Sequence, residues 1–370
     1  MTAPSIDWDY VERARNGELD LRWLREWNSE WGVKATPSRV GLTLRDIAVG
    51  SYGDVPDTAP RRTMAPRGSE VDADVPDMGY TLNRKADVWA DNVMDLYEEG
   101  VSRQWSATRD IPWGEIPEID PDLEHAMCQL CTLLSEVEMI ASDFPAKWMW
   151  RINHDYVEAK MFLATQIMDE ARHTEVFRKR ALVNGGGLGK AKAVTESFLK
   201  LVLDAESYAE GSALMHLLGE GLVLSLFRAG ELISPSPVEK KIFRLCMQDE
   251  ARHVAYGTMH LRYALQQDPD RAEDFHAYLD KGEGMISALF ATPEVVEPIA
   301  VLAAGSVEGA AVLGGQAANM LLGRVIEEYL QRCERAGLDR RSRIKIPAVL
   351  GNYEPDEIGV TSEAAMSGPN

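Results

Sequence analysis

The chain has 370 residues, with 39 Lys and Arg against 59 Asp and Glu, so its formal net charge is −20. Such a charge opposes nonspecific binding to nucleic acid or to an anionic membrane, and no apolar run approaches the roughly 18 uninterrupted residues of a membrane span. Four cysteines and an N-terminus without a secretory-signal pattern predict a reduced, cytoplasmic location.

The first 80 residues are predicted to form a helical arm and an irregular connection. Residues 50–80 are dense in Pro, Gly and Asp and show neither helical nor strand periodicity, so we expect them to lie along a surface. Residues 1–35 contain one or two short amphipathic helices, which we expect to pack as an N-terminal arm and which carry Trp8, Trp23, Trp27 and Trp31.

The main body begins after this arm. Between about Leu82 and Glu334, apolar residues recur every three or four positions, which predicts an all-α domain over residues 81–335. Pro145 is expected to follow the second helix, and the polar residues 336–370 are expected to form a loosely held tail. The predicted helices lie near 84–105, 121–142, 154–183, 195–229, 236–266, 270–290 and 297–335.

The pentapeptide DEARH occurs twice, at 169–173 and at 249–253. Each copy falls inside a predicted helix, where a Glu and a His three positions apart project from the same face. A carboxylate and a neutral imidazole offer the mixed O and N ligands that iron and manganese accept. One such pair is common on solvated helices, but two identical copies on long helices are hard to explain as surface. The candidate metal ligands are therefore Glu170, His173, Glu250 and His253.

A further acid precedes each copy on another predicted helix. Glu220 lies in the apolar stretch LLGEGLVLSLF, where a lone carboxylate would be costly to bury without a cation. The first half of the chain offers both Glu136 and Glu138, in LCTLLSEVEMIA. Two positions apart on a helix, these side chains point to different faces, so only one is expected to be a ligand. We favour Glu136.

This pattern of two single Glu residues and two Glu-x-x-His pairs on four helices resembles the ferritin-like di-iron carboxylate proteins. The segments QIMDEARHTEVF, MQDEARHVAYG and QWSATRDIPW are similar to the branch that contains ribonucleotide reductase small subunits and bacterial multicomponent monooxygenases. The resemblance covers roughly residues 85–335 and implies a four-helix bundle with additional helices. It also implies two iron ions, or a manganese–iron pair, bridged by carboxylates and held by Glu136, Glu170, His173, Glu220, Glu250 and His253.

The other charged residues of the pentapeptide are interpreted as supports for these ligands. In similar proteins the equivalent acid hydrogen-bonds a ligand imidazole, which implies this role for Asp169 and Asp249. Arg172 and Arg252 would balance those acids; the alternative is an Asp–Arg pair on a solvated helix surface. Side chains one turn from the ligands are expected to shape a substrate pocket: Thr132, Met139, Ile140, Gln166, Phe177, Leu224 and Cys246.

Three positions depart from the better-known members of the superfamily. Phe177 stands where reductase subunits with a tyrosyl radical carry Tyr, which excludes a stable radical there, although some manganese–iron reductases also carry Phe. Leu224 stands where multicomponent monooxygenases typically carry Thr. Cys246 stands where arylamine N-oxygenases carry a third His.

The residues and the resemblance together predict a dimetal oxidase or oxygenase that activates O2 and oxidises a small organic substrate. No nicotinamide or flavin fingerprint is visible, so we expect a separate electron donor such as a ferredoxin or a flavin reductase. A homodimer without nucleic-acid or membrane partners is expected. The alternatives are a radical-generating small subunit of a manganese–iron ribonucleotide reductase and a non-enzymatic ferritin-like metal-binding protein, whose storage cages are built from much shorter chains.

Overall fold

The computed structural model describes residues 5–26 and 30–346. These residues form eleven α-helices and no β-strand, which confirms the predicted all-α class. The helices are α1 (Trp8–Arg15), α2 (Leu44–Ile47), α3 (Val93–Ser102), α4 (Pro121–Met149), α5 (Val157–Val183), α6 (Ala193–Leu203), α7 (Tyr208–Ile233), α8 (Pro237–Gln267), α9 (Ala272–Phe290), α10 (Pro293–Ala304) and α11 (307–336).

Four long helices, α4, α5, α7 and α8, form the centre of the protein. Helix α4 packs along α5 and α7 packs along α8, and contacts between α5 and α8 join the two pairs. Short connections make each pair a helical hairpin. Large apolar side chains, including the fully buried Phe144, Phe162 and Phe227, fill the space within and between these pairs. The result is a four-helix bundle around which the other helices pack.

Local signals in the sequence explain where α4 and α8 begin. Asp120 accepts a hydrogen bond from the backbone N–H of Asp122, and Pro121 occupies the first turn of α4. Ser236 and Pro237 play the same parts at the start of α8. A side-chain acceptor satisfies a free backbone N–H, and proline tolerates the first turn because its missing N–H would have no partner there.

Helix α4 does not end before Pro145, contrary to the prediction. It continues to Met149 with Pro145 inside it. Proline removes one backbone hydrogen bond from a helix interior. The apolar side chains around it, Phe144 and Trp148, are buried in the bundle core, so tertiary packing holds the last turn of α4 in place.

The single helix predicted over 195–229 is two helices in the structure. Helix α6 ends at Leu203, and Ser207 caps the start of α7. Within α7, residues Ala213–Gly219 are π-helical and lead directly into Glu220. By length and composition alone, α7 could cross a membrane, and so could the bent pair α9–α10 if the two helices are counted as one span. However, 67% of the most apolar 18-residue segment of α7 is buried inside the protein.

Other helix bounds also differ from the prediction. The first predicted helix is shorter and spans only Val93–Ser102, and the last is divided at Gly305 into α10 and α11 because Gly305 adopts a left-handed conformation with φ of 75°. Residues 50–80 are irregular apart from one 3-10 turn, as predicted.

The tryptophans of the N-terminal arm are largely exposed. Trp8, Trp23 and Trp31 are 65%, 61% and 69% exposed, so they contribute little to the expected packing of the arm. Trp27 lies outside the described residues.

The first part of the tail is not loosely held. Leu338 and Arg340 are buried, and the Arg340 guanidinium forms ion pairs with Asp280 and Glu283 of α9. The expectation of a loose tail is therefore wrong for residues 337–346, because buried ion pairs and apolar contacts attach them to the domain. Residues 347–370 lie outside the described residues.

Candidate metal centre

Six buried side chains from four helices meet in the middle of the bundle. Their ligand atoms form two groups, and within each group these atoms lie within 4.8 Å of one another. Glu170 and Glu250 belong to both groups, as expected for carboxylates that bridge two adjacent metal ions. The first group is Glu138, Glu170, His173 and Glu250, and the second is Glu170, Glu220, Glu250 and His253.

Glu138, rather than Glu136, supplies the acid of α4. The Glu138 side chain is buried, and its Oε2 atom lies 3.3 Å from Nδ1 of His173. Among the described residues, Glu136 belongs to neither group and lies beside Glu196 of α6 instead. The choice of Glu136 is therefore wrong, because two positions along a helix turn the side chain by about 200° and α4 presents Glu138 to α5.

Both histidines turn the same ring nitrogen toward the carboxylates. Nδ1 of His173 lies 3.1 Å from Glu170 and 3.2 Å from Glu250. Nδ1 of His253 lies 2.8 Å from Glu170 and 3.5 Å from Glu250. Nδ1 is thus available to a metal in each case, while Nε2 is available to a supporting acid.

The supporting acids are crossed between the two pentapeptides. Nε2 of His173 lies 3.2 Å from Asp249, and Nε2 of His253 lies 3.3 Å from Asp169. Each DEARH copy therefore supports the imidazole of the other copy. This exchange links α5 to α8 directly behind the candidate ligands.

Two arginines complete this crossed network. Arg172 donates to Asp169 at 2.5 Å and to Asp249 at 2.7 Å, and Arg252 donates to the same two acids at 2.8 and 2.6 Å. None of these four side chains is more than 3% exposed. The alternative of a solvated surface pair is therefore wrong, and the two positive charges cancel the two negative charges within the core.

The charges of the remaining acids fit two divalent cations. Four glutamates converge, and oxygens of Glu138, Glu170, Glu220 and Glu250 have no hydrogen-bond partner among the described residues. Burial raises the pKa of Glu138 and of Glu220 well above the ordinary value. Buried carboxylates without hydrogen bonds are costly unless a cation compensates them. The donor set of four carboxylates and two imidazoles suits iron or manganese.

Sequence reasoning missed a chain of polar contacts behind Glu220. Gln166 donates to Glu220 at 2.8 Å, and the Gln166 carbonyl oxygen lies 3.2 Å from Nε2 of His216. The other ring nitrogen of His216 lies 2.9 Å from the hydroxyl of Ser212. His216 lies in the π-helical part of α7, and no spacing motif in the sequence marks it.

Comparisons with known proteins bear on the fold. No family model and no curated protein matches this chain. Three solved structures of R2-like ligand-binding oxidase variants align with 67% of this chain and 93% of theirs. The first carries an aerobically reconstituted Mn/Fe cofactor, with a TM-score of 0.51 and 18% sequence identity to this chain. The second carries an anaerobically reconstituted Mn/Fe cofactor, with a TM-score of 0.51 and 17% identity. The third carries an aerobically reconstituted Fe/Fe cofactor, with a TM-score of 0.52 and 17% identity. The chain has the ferritin-like fold of these oxidases.

Within this ferritin-like bundle, the expected pocket residues take different positions. Ile140 lines an apolar cavity beside the glutamates, Gln166 contacts Glu220, and the Cys246 thiol lies next to the His173 imidazole. Phe177 packs against Phe227 and Phe243. Of the seven expected residues, Ile140 is the only one among the described lining residues of this cavity. The remaining three lie elsewhere: the Thr132 hydroxyl donates to the backbone of α4, Met139 is 43% exposed, and Leu224 lines a second cavity behind α7.

The cavity beside the glutamates, called the apolar cavity below, lies between α4, α6, α7 and α9–α11 of the ferritin-like bundle. Its volume is about 130 Å³. Among the described residues, the ionisable side chains that line it are Glu138, Glu220 and Glu250 alone, and the rest of the described wall is apolar, including Leu133, Phe198, Val202, Leu226, Ile286 and Ala318. A molecule in this cavity would meet the candidate metal centre at one end and hydrocarbon everywhere else.

Proposed function

We propose that this protein is an O2-dependent dimetal oxidase or oxygenase that oxidises a small, largely apolar organic substrate bound in the apolar cavity. The observation that carries this proposal is the direct opening of a hydrocarbon-lined space onto three of the four converging glutamates. The solved structures with the same fold carry Mn/Fe or Fe/Fe cofactors, which supports a metal pair of this kind.

The six converging side chains would hold the metals. Glu170 and Glu250 belong to both groups and would be shared by the two metals, whereas Glu138 and Glu220 each belong to one group only. A reduced pair of iron or manganese–iron ions supplies the electrons that O2 activation requires. Asp169 and Asp249 hold the histidines with Nδ1 directed inward, which fixes the orientation in which each imidazole would bind a metal.

The apolar walls select the substrate and exclude water. A charged or strongly polar molecule would lose its hydration without gaining hydrogen bonds from Leu133, Phe198 or Leu226, whereas a hydrocarbon segment gains about 25 cal/mol for each Å² that it buries. A dry wall also protects a strong oxidant from side reactions with solvent. The bond that reacts is the one nearest Glu138, Glu220 and Glu250.

Electrons for repeated turnover would come from a separate donor, such as a ferredoxin or a flavin reductase. The position of Trp105 favours a route by which electrons from this donor reach the candidate metal centre on the α5 side of the bundle. Its indole N–H donates to Asp249 at 2.7 Å, and Asp249 in turn contacts Nε2 of His173. Trp105 is only half-buried and lines a surface depression with Arg109 and Glu175. It therefore lies between the surface and the candidate centre.

The radical-generating alternative is less well supported. Phe177, one turn after His173, packs in a cluster with Phe227 and Phe243, so this position offers no phenol to hold a radical. An apolar cavity that opens onto the glutamates instead suits a bound organic substrate, which would itself be oxidised. The long chain and its additional helices favour an enzyme over a storage cage.

O2 consumption by the metal-loaded full chain tests the proposal. With a chemical reductant, apolar compounds of increasing length should stimulate O2 uptake, and mass spectrometry should detect an oxidised product. Ala318→Phe should abolish this stimulation but retain the metals, because Ala318 is buried, lines the cavity and is not a member of either ligand group. Met320→Phe is the matched control, since Met320 is 76% exposed on the same helix.

Three outcomes would contradict the proposal. The first is O2 uptake that no apolar compound changes and that Ala318→Phe leaves unaltered. The second is sustained nucleotide reduction on addition of a reductase large subunit, which would favour the radical-generating alternative. The third is a large hollow assembly that accumulates many metal ions per chain, which would favour storage.

A further inference from the structure

One buried arginine lies outside every network described so far. Arg332 of α11 is 5% exposed and packs its guanidinium flat against Gly221 of α7. A Cβ atom added at Gly221 would lie only 2.6 Å from Nη2 and 2.7 Å from Nε of Arg332. Glycine at position 221 therefore makes the room that this guanidinium occupies.

Arg332 is the exception among the buried arginines of the described residues. Arg172 and Arg252 pair with two aspartates, Arg180 pairs with two glutamates, and Arg340 pairs with an aspartate and a glutamate. By contrast, Nε and Nη2 of Arg332 have no hydrogen-bond partner in the described part of the chain. Because an unpaired buried charge is costly, an anion that pairs with the Arg332 guanidinium would stabilise the protein, and the described side chains do not supply one.

The nearest acid is already engaged. Glu328, one turn before Arg332, accepts hydrogen bonds from Ser225 and Arg228 at 2.5 Å each and from Arg324 at 3.0 Å. No ion pair joins Glu328 to Arg332 among the described residues. The hydrogen-bonding capacity of the Arg332 guanidinium therefore remains unused among the described residues.

Arg332 lines a cavity behind α7, called the basic cavity below, whose walls come from α7, α8 and α11. Its volume is about 1070 Å³, and one side is open to solvent. Asn92 also lines it, and its side-chain NH₂ group can donate a hydrogen bond. The wall carries four arginines and two glutamates, in a protein whose net charge is −20: Arg228, Arg262, Arg332 and Arg335, with Glu328 and Glu334.

We propose that the basic cavity binds a small organic anion whose carboxylate or phosphate group is held by Arg332, with Asn92 and Arg262 as further contacts. The planar guanidinium offers parallel N–H donors that match both kinds of anion. Burial lowers the pKa of Arg332 to about 10, so the side chain remains charged at neutral pH. The space around it is larger than an inorganic ion needs, which favours an organic molecule.

This anion site is distinct from the candidate metal centre. Helix α7 separates the two, with Glu220 facing the metal ligands and Gly221 facing Arg332. The apolar cavity and the basic cavity share no lining residue. The proposal therefore does not depend on the proposed oxidase activity, although a bound anion would touch the residue next to a candidate ligand.

Thermal unfolding of the full chain tests the anion site, with inorganic phosphate and acetate as probes and chloride at equal ionic strength as the reference. The wild-type protein should show a saturable rise in Tm with phosphate or acetate beyond the rise with chloride. A response to phosphate alone would assign the site to phosphorylated ligands. A response to both would assign it to carboxylates as well.

Variants separate specific binding from a general salt effect. Arg332→Met should abolish the saturable rise and, without added anion, should have an equal or higher Tm, because it removes an unpaired buried charge. Arg262 is exposed at the edge of the basic cavity, and Arg262→Gln should weaken the apparent affinity for the anion several-fold. This variant tests the anion site if Arg332→Met does not fold. Arg178→Gln is the control, an exposed arginine on α5 outside the cavity. A rise that persists in both cavity variants, or no saturable rise in the wild type, overturns the proposal.

Discussion

Nε2 of His253 lies 3.3 Å from Oδ2 of Asp169, the acid of the other pentapeptide. The reciprocal contact, from His173 to Asp249, measures 3.2 Å. The repeat is therefore not two independent half-sites, because each copy supplies a metal ligand to its own half and a support to the opposite half. This relationship leads to a test of coupling across the bundle.

Asp169→Asn should weaken metal binding by about 10–100-fold, because the carboxylate that orients His253 becomes a neutral amide. Metal affinity, measured by competition with a chelator, checks this. In double variants the effect of Asp169→Asn should shrink strongly when His253 is already Ala, but not when His173 is Ala. Asp143→Asn, an exposed acid on α4, is the control. Equal coupling to both histidines would contradict the crossed arrangement.

Glu138→Ala should lose one metal ion or most of its affinity, whereas Glu136→Ala should retain both ions. The reason is geometric, since only Glu138 reaches His173 and the bridging acids. Elemental analysis of the purified, metal-loaded variants measures this, with Glu170→Ala and Glu250→Ala as strongly deficient references. Full metal content in Glu138→Ala would remove this residue from the centre, and full content in all three would refute the centre itself.

Glu136→Gln should stabilise the protein above neutral pH. Burial and the neighbouring Glu196 raise the pKa of Glu136 from its ordinary value to about 7. A carboxyl whose pKa is raised by folding stabilises the folded state below the unfolded pKa and loses that contribution as pH rises toward 7. After allowance for solvent screening, the gain from Glu136→Gln should be about 1 kcal/mol at pH 8 and close to zero at pH 4.

Urea unfolding at pH 4, 6 and 8 measures this dependence. Glu118→Gln removes one exposed negative charge from the same chain and should show no comparable gain. An equal stabilisation by both substitutions would show that net charge, rather than the partly buried Glu136 carboxyl beside the exposed Glu196, is responsible.

Trp105→Phe should slow turnover with a separate electron donor several-fold while both metals remain bound. The substitution removes the N–H that donates to Asp249, but Arg172 and Arg252 still hold that acid. Trp113→Phe is a matched control, because its indole donates to the backbone oxygen of Ala107 and not to the Asp–His network. Steady-state rates at saturating donor and metal analysis together check the prediction. Equal rates in both variants would exclude Trp105 from the route.

The chemistry of the centre could be predicted from the sequence because it depends on local periodicity. A Glu and a His three positions apart share one face of any helix, whatever that helix packs against. The apolar residues on either side of Glu220 in the sequence likewise predict that its carboxylate is buried. The all-α class follows from the same periodicity, sustained over most of the chain.

The tertiary structure decided whatever depends on how one helix is turned toward another. Rotation of α4 by 100° per residue presents Glu138 and not Glu136 to α5, and no local pattern encodes that rotation. The π-helical residues Ala213–Gly219 change the register of α7 just before Glu220 and bring His216 behind it. The crossed aspartates and the unpaired Arg332 are likewise relationships between distant segments, so only the packing of the bundle, which brings those segments together, reveals them.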